Sequence, residues 1–106
     1  MLIVKHRINT IKELNDTSNV FGVEIDLRTF NKDLILEHDP FKNGPKFIDW
    51  ISFFRHKFLI INVKEDGLEE SILDILKLNN IDNFFFLDQP IPSLIKYANN
   101  GLRNIS

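Results

Sequence analysis

Cysteine is absent from this chain of 106 residues, which excludes disulfide bonds and thiolate metal sites. Any bound metal must therefore be held by carboxylate, imidazole, amide or water. Long apolar runs are missing as well. None reaches the roughly 18 residues of a membrane span, and the apolar residues before Lys5 are too few for the core of a signal peptide. We predict a cytoplasmic protein without a membrane span.

The chain also lacks a strong charge of one sign. Its 13 basic and 15 acidic residues give a formal net charge of −2, so no broad attraction to nucleic acid is expected. Hydrophobic residues make up 43% of the chain and charged residues 26%, which is the normal range for a globular protein. We therefore predict a single domain over residues 1–106, with no nucleic-acid partner.

The first half of the sequence predicts two strands with a short helix between them. A buried strand is expected at residues 2–5, where an apolar run precedes a cation. Thr10 and Glu13 have the spacing of a capping box, which starts a helix. Residues 21–27 alternate between apolar and polar side chains and predict a strand with one polar face.

The rest of the sequence continues the alternation of strands and helices. Asn31-Lys32-Asp33 supplies turn residues, so the chain is expected to double back in a hairpin. Further elements are predicted in the order helix, strand, helix, strand, helix and a final strand, at residues 47–54, 58–63, 68–78, 84–87, 92–100 and 102–106. Asn79-Asn80 is the expected end of the helix at 68–78. This order predicts an α/β fold built on a parallel sheet, either an open doubly wound sheet or part of a barrel.

Glu24 and Asp26 are the first candidate site residues. Residues two apart in a strand point to the same side, so both carboxylates can reach one Ca²⁺ or Mg²⁺. The alternative is a polar strand face exposed to water, which produces the same pattern without any function. The pair alone does not distinguish the two interpretations.

Position along the chain favours the functional interpretation. In alternating βα folds the ligand site lies at the carboxyl ends of the strands. His6-Arg7 and Lys64 follow predicted strands, and the hairpin should bring His38 near the two carboxylates. Two histidines in one place could serve as acid and base.

Other polar and aromatic residues receive structural interpretations. His56 lies between two cations after a helix and is expected to be a solvated loop residue. Asp88 ends a predicted strand and either faces the same edge of the sheet or caps a helix. Trp50 and the phenylalanines at 84–86 are expected in the core, because no basic residues interleave with them as in a base-stacking surface.

His6-Arg7, the segment Gly22–Leu27 and His38-Asp39 together resemble the N-terminal motifs of the glycerophosphodiester phosphodiesterase family. The resemblance implies a TIM-type (β/α)₈ barrel that hydrolyses glycerophosphodiesters with a divalent cation, and hence a role in lipid metabolism. It implies that Glu24 and Asp26 are ligands of the cation.

The same resemblance assigns roles to the other residues. His6 and His38 match the family's catalytic histidines. Arg7 and Lys64 match residues that bind the substrate phosphate, a task that suits the donor fork of an arginine. Asn62 occupies the place of a third carboxylate, and an amide oxygen is a weaker ligand of a hard cation.

Length sets the expected extent of the barrel. A complete (β/α)₈ barrel needs roughly 250 residues, so this chain should form its N-terminal part, with about half of the strands. A partial barrel exposes sheet edges, which predicts self-association. The alternative to a metal-dependent phosphodiesterase is a non-catalytic βα domain that serves binding or assembly, an alternative favoured by Asn62 and the short length.

Overall fold

The computed structural model describes residues 3–87. Five strands and three α-helices form along this part of the chain: β1 Val4–Lys5, α1 Ile11–Asp16, β2 Gly22–Phe30, β3 Asp33–Leu36, α2 Phe47–Trp50, β4 Leu59–Val63, α3 Glu69–Leu78 and β5 Phe84–Phe86. A single 3-10 turn, Ile51–Phe53, continues α2. Leu2, Asp88 and the elements expected at 92–100 and 102–106 lie outside the described residues.

One sheet contains all five strands. Its parallel strands follow chain order, β1-β2-β4-β5, and β3 pairs antiparallel with β2. β1 lies along the first two residues of β2 and β3 along its last four, on the edge of β2 opposite β4. The predicted α/β fold with a mainly parallel sheet is therefore confirmed, together with the hairpin after the second strand.

The hairpin forms because its two turn residues adopt the left-handed conformation. Asn31 and Lys32 have φ angles of 50° and 72°, as the two central residues of a type I′ turn require. Phe30 pairs with Asp33 directly across the turn. The twist of this turn matches the twist of the strands, so the chain reverses within two residues.

All three described helices pack on the same face of the sheet. Leu14 of α1, Trp50 of α2 and Ile72 of α3 belong to one core cluster with the odd-numbered apolar residues of β2 and β4. The expected core positions of Trp50, Phe84 and Phe86 are confirmed, whereas Phe85 is only partly buried and lies outside the core cluster. The opposite face of β2 carries Glu24, Asp26 and Arg28, so it is the polar face.

Local signals explain where the helices start and stop. The Thr10 hydroxyl accepts a hydrogen bond from the Glu13 N–H at 3.1 Å, which confirms the predicted start of α1. α3 ends at Leu78 with Asn79 as its C-cap, and Asn80 has a φ of 58°. The predicted stop at Asn79-Asn80 is confirmed. The helix expected over residues 47–54 is shorter, because regular α-helix stops at Trp50 and a 3-10 turn follows.

The expectation for His56 is wrong. Its side chain is buried, its Nε2 lies 2.8 Å from the Thr17 carbonyl oxygen, and its ring packs 5.6 Å from that of Phe54. The polar neighbours Arg55 and Lys57 suggested a solvated loop, but the carbonyl after α1 provides a partner that the sequence does not reveal. Along residues 3–87, no helix is long and apolar enough to cross a bilayer.

Candidate functional site

The chain bulges at His6 and Arg7, directly after β1. A regular parallel ladder would bring the Arg7 N–H to the Glu24 carbonyl, but Ile8 N donates to it instead, at 2.9 Å. Arg7 takes up the extra residue with a φ of 53°, an uncommon conformation for a side chain of this size. The bulge directs His6 towards the polar face of β2.

His6 pairs with Glu24. Its Nδ1 lies 3.1 Å from Glu24 Oε1, and the two side chains are 74% and 15% exposed. In the tautomer with the proton on Nδ1, the ring donates to Glu24 and keeps the Nε2 lone pair free. The carboxylate thus orients an imidazole whose second nitrogen is open to solvent.

Asp26 is buried and held from two sides. Its side chain is only 1% exposed. Asn9 Nδ2 donates to Asp26 Oδ2 at 3.0 Å, and Asp26 N donates to Asn9 Oδ1 at 2.9 Å. Asn9 therefore fills the gap between β1 and β3 along the edge of β2 and fixes Asp26 through both its backbone and its carboxylate.

Lys64 supplies the opposite charge. Its Nζ lies 3.5 Å from Asp26 Oδ1, which offsets the cost of burying a carboxylate. Asn62 is in register with Asp26 on the adjacent strand. With its amide nitrogen donating to the Leu87 carbonyl at 2.7 Å, its oxygen lies 3.3 Å from Lys64 Nζ.

His38 lies on a separate loop after β3. Its Nδ1 is 3.2 Å from Asp39 Oδ1, and Lys42 Nζ is 3.2 Å from Asp39 Oδ2. The hydrogen bonds from His38 and Lys42 lower the pKa of Asp39 below its ordinary value of 3.8. Each of the two candidate histidines, His6 and His38, therefore has a carboxylate at Nδ1.

Arg28 anchors this loop to β2. Its Nε donates to the Glu37 carbonyl at 3.0 Å and its Nη2 to the His38 carbonyl at 2.7 Å. Glu37 N in turn donates to the Asp26 carbonyl at 3.1 Å. The backbone leading to His38 thus passes beside Asp26 in the middle of β2, although the His38 ring points to Asp39.

A second contact closes the same end of the sheet. Glu65, just after β4, accepts hydrogen bonds from Thr29 N at 2.9 Å and from Thr29 Oγ1 at 2.7 Å. These two bonds lower the pKa of Glu65 below its ordinary value of 4.5. The loop after β4 is therefore tied to the hairpin strand.

The predicted site residues fall into two groups. Five of them lie on the polar face of the sheet, after β1, in the middle of β2 and at the carboxyl end of β4: His6, Glu24, Asp26, Asn62 and Lys64. His6 contacts Glu24, and Lys64 contacts Asp26 and Asn62. The ring of His38 and the guanidinium of Arg7 make no hydrogen bond or ion pair with this group within residues 3–87. No set of three or more His, Asp or Glu side chains with the arrangement of a metal site is found in that range.

Sequence reasoning missed Asn9 and Arg28 as parts of this site. Arg28 was visible as the third polar residue on the alternating face of β2, but its backbone partners lie after the hairpin. Asn9 had no signal beyond its place next to the helix cap Thr10. Comparison with protein-family models, with curated proteins and with solved structures found no match to this chain.

Proposed function

We propose that the protein hydrolyses phosphodiesters with the help of a divalent cation, as a glycerophosphodiester phosphodiesterase-like enzyme. The proposal rests on one observation above all. A histidine, two carboxylates and a lysine lie on one face of neighbouring parallel strands, the histidine after β1 and the lysine after β4, and α/β folds place their ligand sites at the carboxyl ends of parallel strands. The motifs around His6, Glu24 and His38 that resemble this family support the same reaction.

Two basic side chains, Arg7 and Lys64, bind the substrate in this proposal. Arg7 has no competing side-chain partner among the described residues, and its planar fork of donors fits two phosphate oxygens. Lys64, at the end of β4, is 24% exposed and adds a second positive charge. The phosphodiester is thus held by its charged oxygens, and the alcohol groups face outward.

The two imidazoles transfer the protons. One takes a proton from the attacking water or from a hydroxyl of the substrate, whose oxygen forms the new bond to phosphorus. The other gives a proton to the alcohol oxygen as its bond to phosphorus breaks. Glu24 holds one ring nitrogen of His6 and leaves its Nε2 to act, and Asp39 does the same for His38. The His38 ring must turn towards His6 and Glu24 for its step.

The donor set suits a hard cation such as Mg²⁺ or Ca²⁺. Glu24 and Asp26 provide carboxylate oxygens, and Asn62 provides an amide oxygen in register with Asp26. When bound there, the cation would neutralise charge on the phosphoryl oxygens. Lys64 must withdraw from Asp26 Oδ1 to make room for it.

The wider assignment belongs to the same proposal. The chain order of the parallel strands, with the described helices on one face, supports the start of a TIM-type (β/α)₈ barrel. We also propose that residues 1–106 form a single domain and that the protein acts in the cytoplasm on small glycerophosphodiesters.

Titration calorimetry and turnover on the full chain test the proposal. We expect binding of Mg²⁺ or Ca²⁺, followed by release of glycerol phosphate from glycerophosphodiesters. His38→Ala should lower turnover by about 100-fold or more, because it removes an acid–base group. Phe41→Ala is the matched control, since this side chain on the same loop is 95% exposed.

A second set of variants tests the carboxylates. Glu24→Gln should abolish cation binding and turnover together, whereas Glu70→Gln on the exposed side of α3 should change neither. If the unmodified full chain neither binds a cation nor releases glycerol phosphate, the enzyme assignment is wrong.

The second candidate is a domain that binds phosphodiesters without cleaving them. The neutral Asn62 and the contact of Lys64 with Asp26 favour it, because both reduce the negative charge available to a cation. Phosphodiester binding by the full chain without turnover, at saturating Mg²⁺ and Ca²⁺, would support this candidate over the enzyme.

A further inference from the structure

The Lys64 ammonium contacts two of the oxygens that are proposed to bind the divalent cation. Its Nζ is 3.5 Å from Asp26 Oδ1 and 3.3 Å from the Asn62 oxygen in the amide orientation that satisfies Leu87. These are two of the three side chains proposed to hold the divalent cation. The ammonium and the cation therefore compete for the same oxygens.

The burial of Asp26 explains why the ammonium is there. A carboxylate that is 1% exposed needs a compensating charge close by. Asn62 carries no charge, and Asn9 contributes only an amide hydrogen bond. In the free chain, Lys64 is thus the counter-ion of Asp26 among the described residues.

The Lys64 side chain can also move away from Asp26. It is 24% exposed. Lys64 is the first residue after β4, and its backbone N–H is held by the Leu27 carbonyl at 2.9 Å, so the backbone stays in place when the side chain moves. A four-carbon stem with rotatable bonds allows the ammonium to move towards solvent. A phosphate held beside the strand ends offers it a new partner.

We propose that Lys64 is an exchangeable internal cation that couples the binding of a divalent cation to the binding of phosphate. Without ligands it neutralises Asp26. When the divalent cation takes its place, the ammonium is released to the phosphate oxygens. The inference rests on the proposed function, because it concerns the same site and adds the coupling between its two ligands.

The coupling must be reciprocal. If the divalent cation raises the affinity for phosphate, phosphate raises the affinity for the cation by the same factor. The site would then bind either ligand weakly alone and both together more tightly. This would limit cation binding in the absence of substrate.

Calorimetry with Mg²⁺ and inorganic phosphate on the full chain tests the coupling. For the unmodified chain we expect phosphate to raise Mg²⁺ affinity by about tenfold. Lys64→Met should bind Mg²⁺ about tenfold more tightly than the unmodified chain, and phosphate should no longer change that affinity. Lys77→Met, which removes the same charge from the exposed side of α3, should behave like the unmodified chain.

If Lys64→Met fails to fold, a second variant tests the same coupling between cation and phosphate binding. Asp26→Asn should lose Mg²⁺ binding yet bind inorganic phosphate more tightly than the unmodified chain, because the ammonium no longer has a carboxylate partner. If Lys64 has only a structural role, phosphate binding in this variant should be unchanged or weaker.

The outcomes separate this inference from the proposed function. Equal Mg²⁺ affinity in Lys64→Met and the unmodified chain, or unchanged phosphate affinity in Asp26→Asn, overturns the coupling even if glycerol phosphate is released. Coupling without any release of glycerol phosphate supports the role of Lys64 and removes only the hydrolysis.

Discussion

Asn62 limits the charge of the candidate cation site. It lies next to Asp26 on the adjacent parallel strand, in register with it. Its amide oxygen can therefore share a cation with Asp26, but it carries no negative charge. Affinity for hard cations depends strongly on the number of charged ligands. Asn62 is thus the residue of the proposed cation site whose replacement should change cation binding most directly.

Asn62→Asp should therefore raise the affinity for Mg²⁺ and Ca²⁺ by about tenfold, because it adds a carboxylate beside Asp26. Calorimetry on the two proteins measures the change. Asn15→Asp adds the same charge to the exposed side of α1 and should leave the affinity unchanged. An equal affinity in both variants would remove Asn62 from the site.

His6 and His38 show why residue identities alone do not define a catalytic pair. The sequence predicted two histidines near two carboxylates. In the structure each ring has its own carboxylate, Glu24 for His6 and the neighbouring Asp39 for His38. These partners depend on side-chain rotamers, which a pattern of residue types does not specify.

Among the secondary-structure elements, the hairpin and the loop after β4 depend on each other. Thr29 of β2 donates two hydrogen bonds to Glu65, and Arg28 beside it holds the loop that carries His38. The carboxyl-terminal part of β2 is therefore held by the loop after β4 through Thr29 and by the loop after β3 through Arg28. A loss of the Glu65 contact should loosen the end of the sheet that carries the candidate site.

The contact of Glu65 with Thr29 should make stability depend on pH. The folded pKa of Glu65 lies below its ordinary value of 4.5. Its contribution to the free energy of unfolding is therefore present above that value and is lost as pH falls through the lowered folded pKa. We expect Glu65→Gln to be less stable than the unmodified chain at pH 7, by about 1 kcal/mol.

Denaturant unfolding between pH 7 and pH 3 measures this effect. The difference between the unmodified chain and Glu65→Gln should shrink as the pH falls below about 4.5. Asp74→Asn, on an exposed position of α3, is the control and should show little difference at any pH. A gap for Glu65→Gln that stays constant down to pH 3 contradicts the assignment.

At the scale of the whole molecule, the sheet has one covered and one open face. The described helices cover the face that carries the core. The other face carries the polar site at one end and the apolar residues Phe58, Ile60 and Phe85 nearby, with the two phenylalanine rings stacked at 5.8 Å. No described element lies over these three residues.

This open face, together with the sheet edges, should cause the chain to self-associate. Light scattering over a range of concentrations should show a mass that rises with concentration. Ile60→Thr should weaken the association by about tenfold, since burying an isoleucine contributes about 1.5 kcal/mol or more. Ile48→Thr changes a residue on the exposed side of α2, 58% exposed, and should have no effect.

A stable monomer at all concentrations, with cooperative unfolding, would contradict this prediction. It would also count against the proposal of a partial barrel, because an incomplete barrel leaves its interior face without a partner. The association state of the full chain therefore bears on the fold as well as on the interface.

Most of the described fold could be predicted from the sequence. Strict alternation in β2, the continuous apolar run of β4 and the helical spacing of α3 are local patterns with distinct periods. The turn at Asn31-Lys32 and the cap at Thr10 are equally local. The end of α2 at Trp50 could not be predicted, because the periodic apolar pattern continues to Phe54, through the 3-10 turn Ile51–Phe53.

The candidate site could be predicted only in part. The two carboxylates share a strand face because of the period of two, and His6, Asn62 and Lys64 follow from the common edge of parallel strands. The contacts of Asn9 and the burial of His56 join residues that are distant in sequence. Asn9 pairs with the backbone and the carboxylate of Asp26, and His56 pairs with the Thr17 carbonyl. No local pattern in the sequence indicates these partners.

The sequence by itself determined the α/β class, the order of the elements and the set of polar residues at one end of the sheet. Those features depend on local periodicity and on the chemistry of turns and caps. The tertiary structure alone decided that Lys64 pairs with Asp26, that Asn9 bridges the gap beside β2 and that His38 turns to Asp39. Such contacts depend on distances of a few ångströms between separate segments, which only the packed sheet establishes.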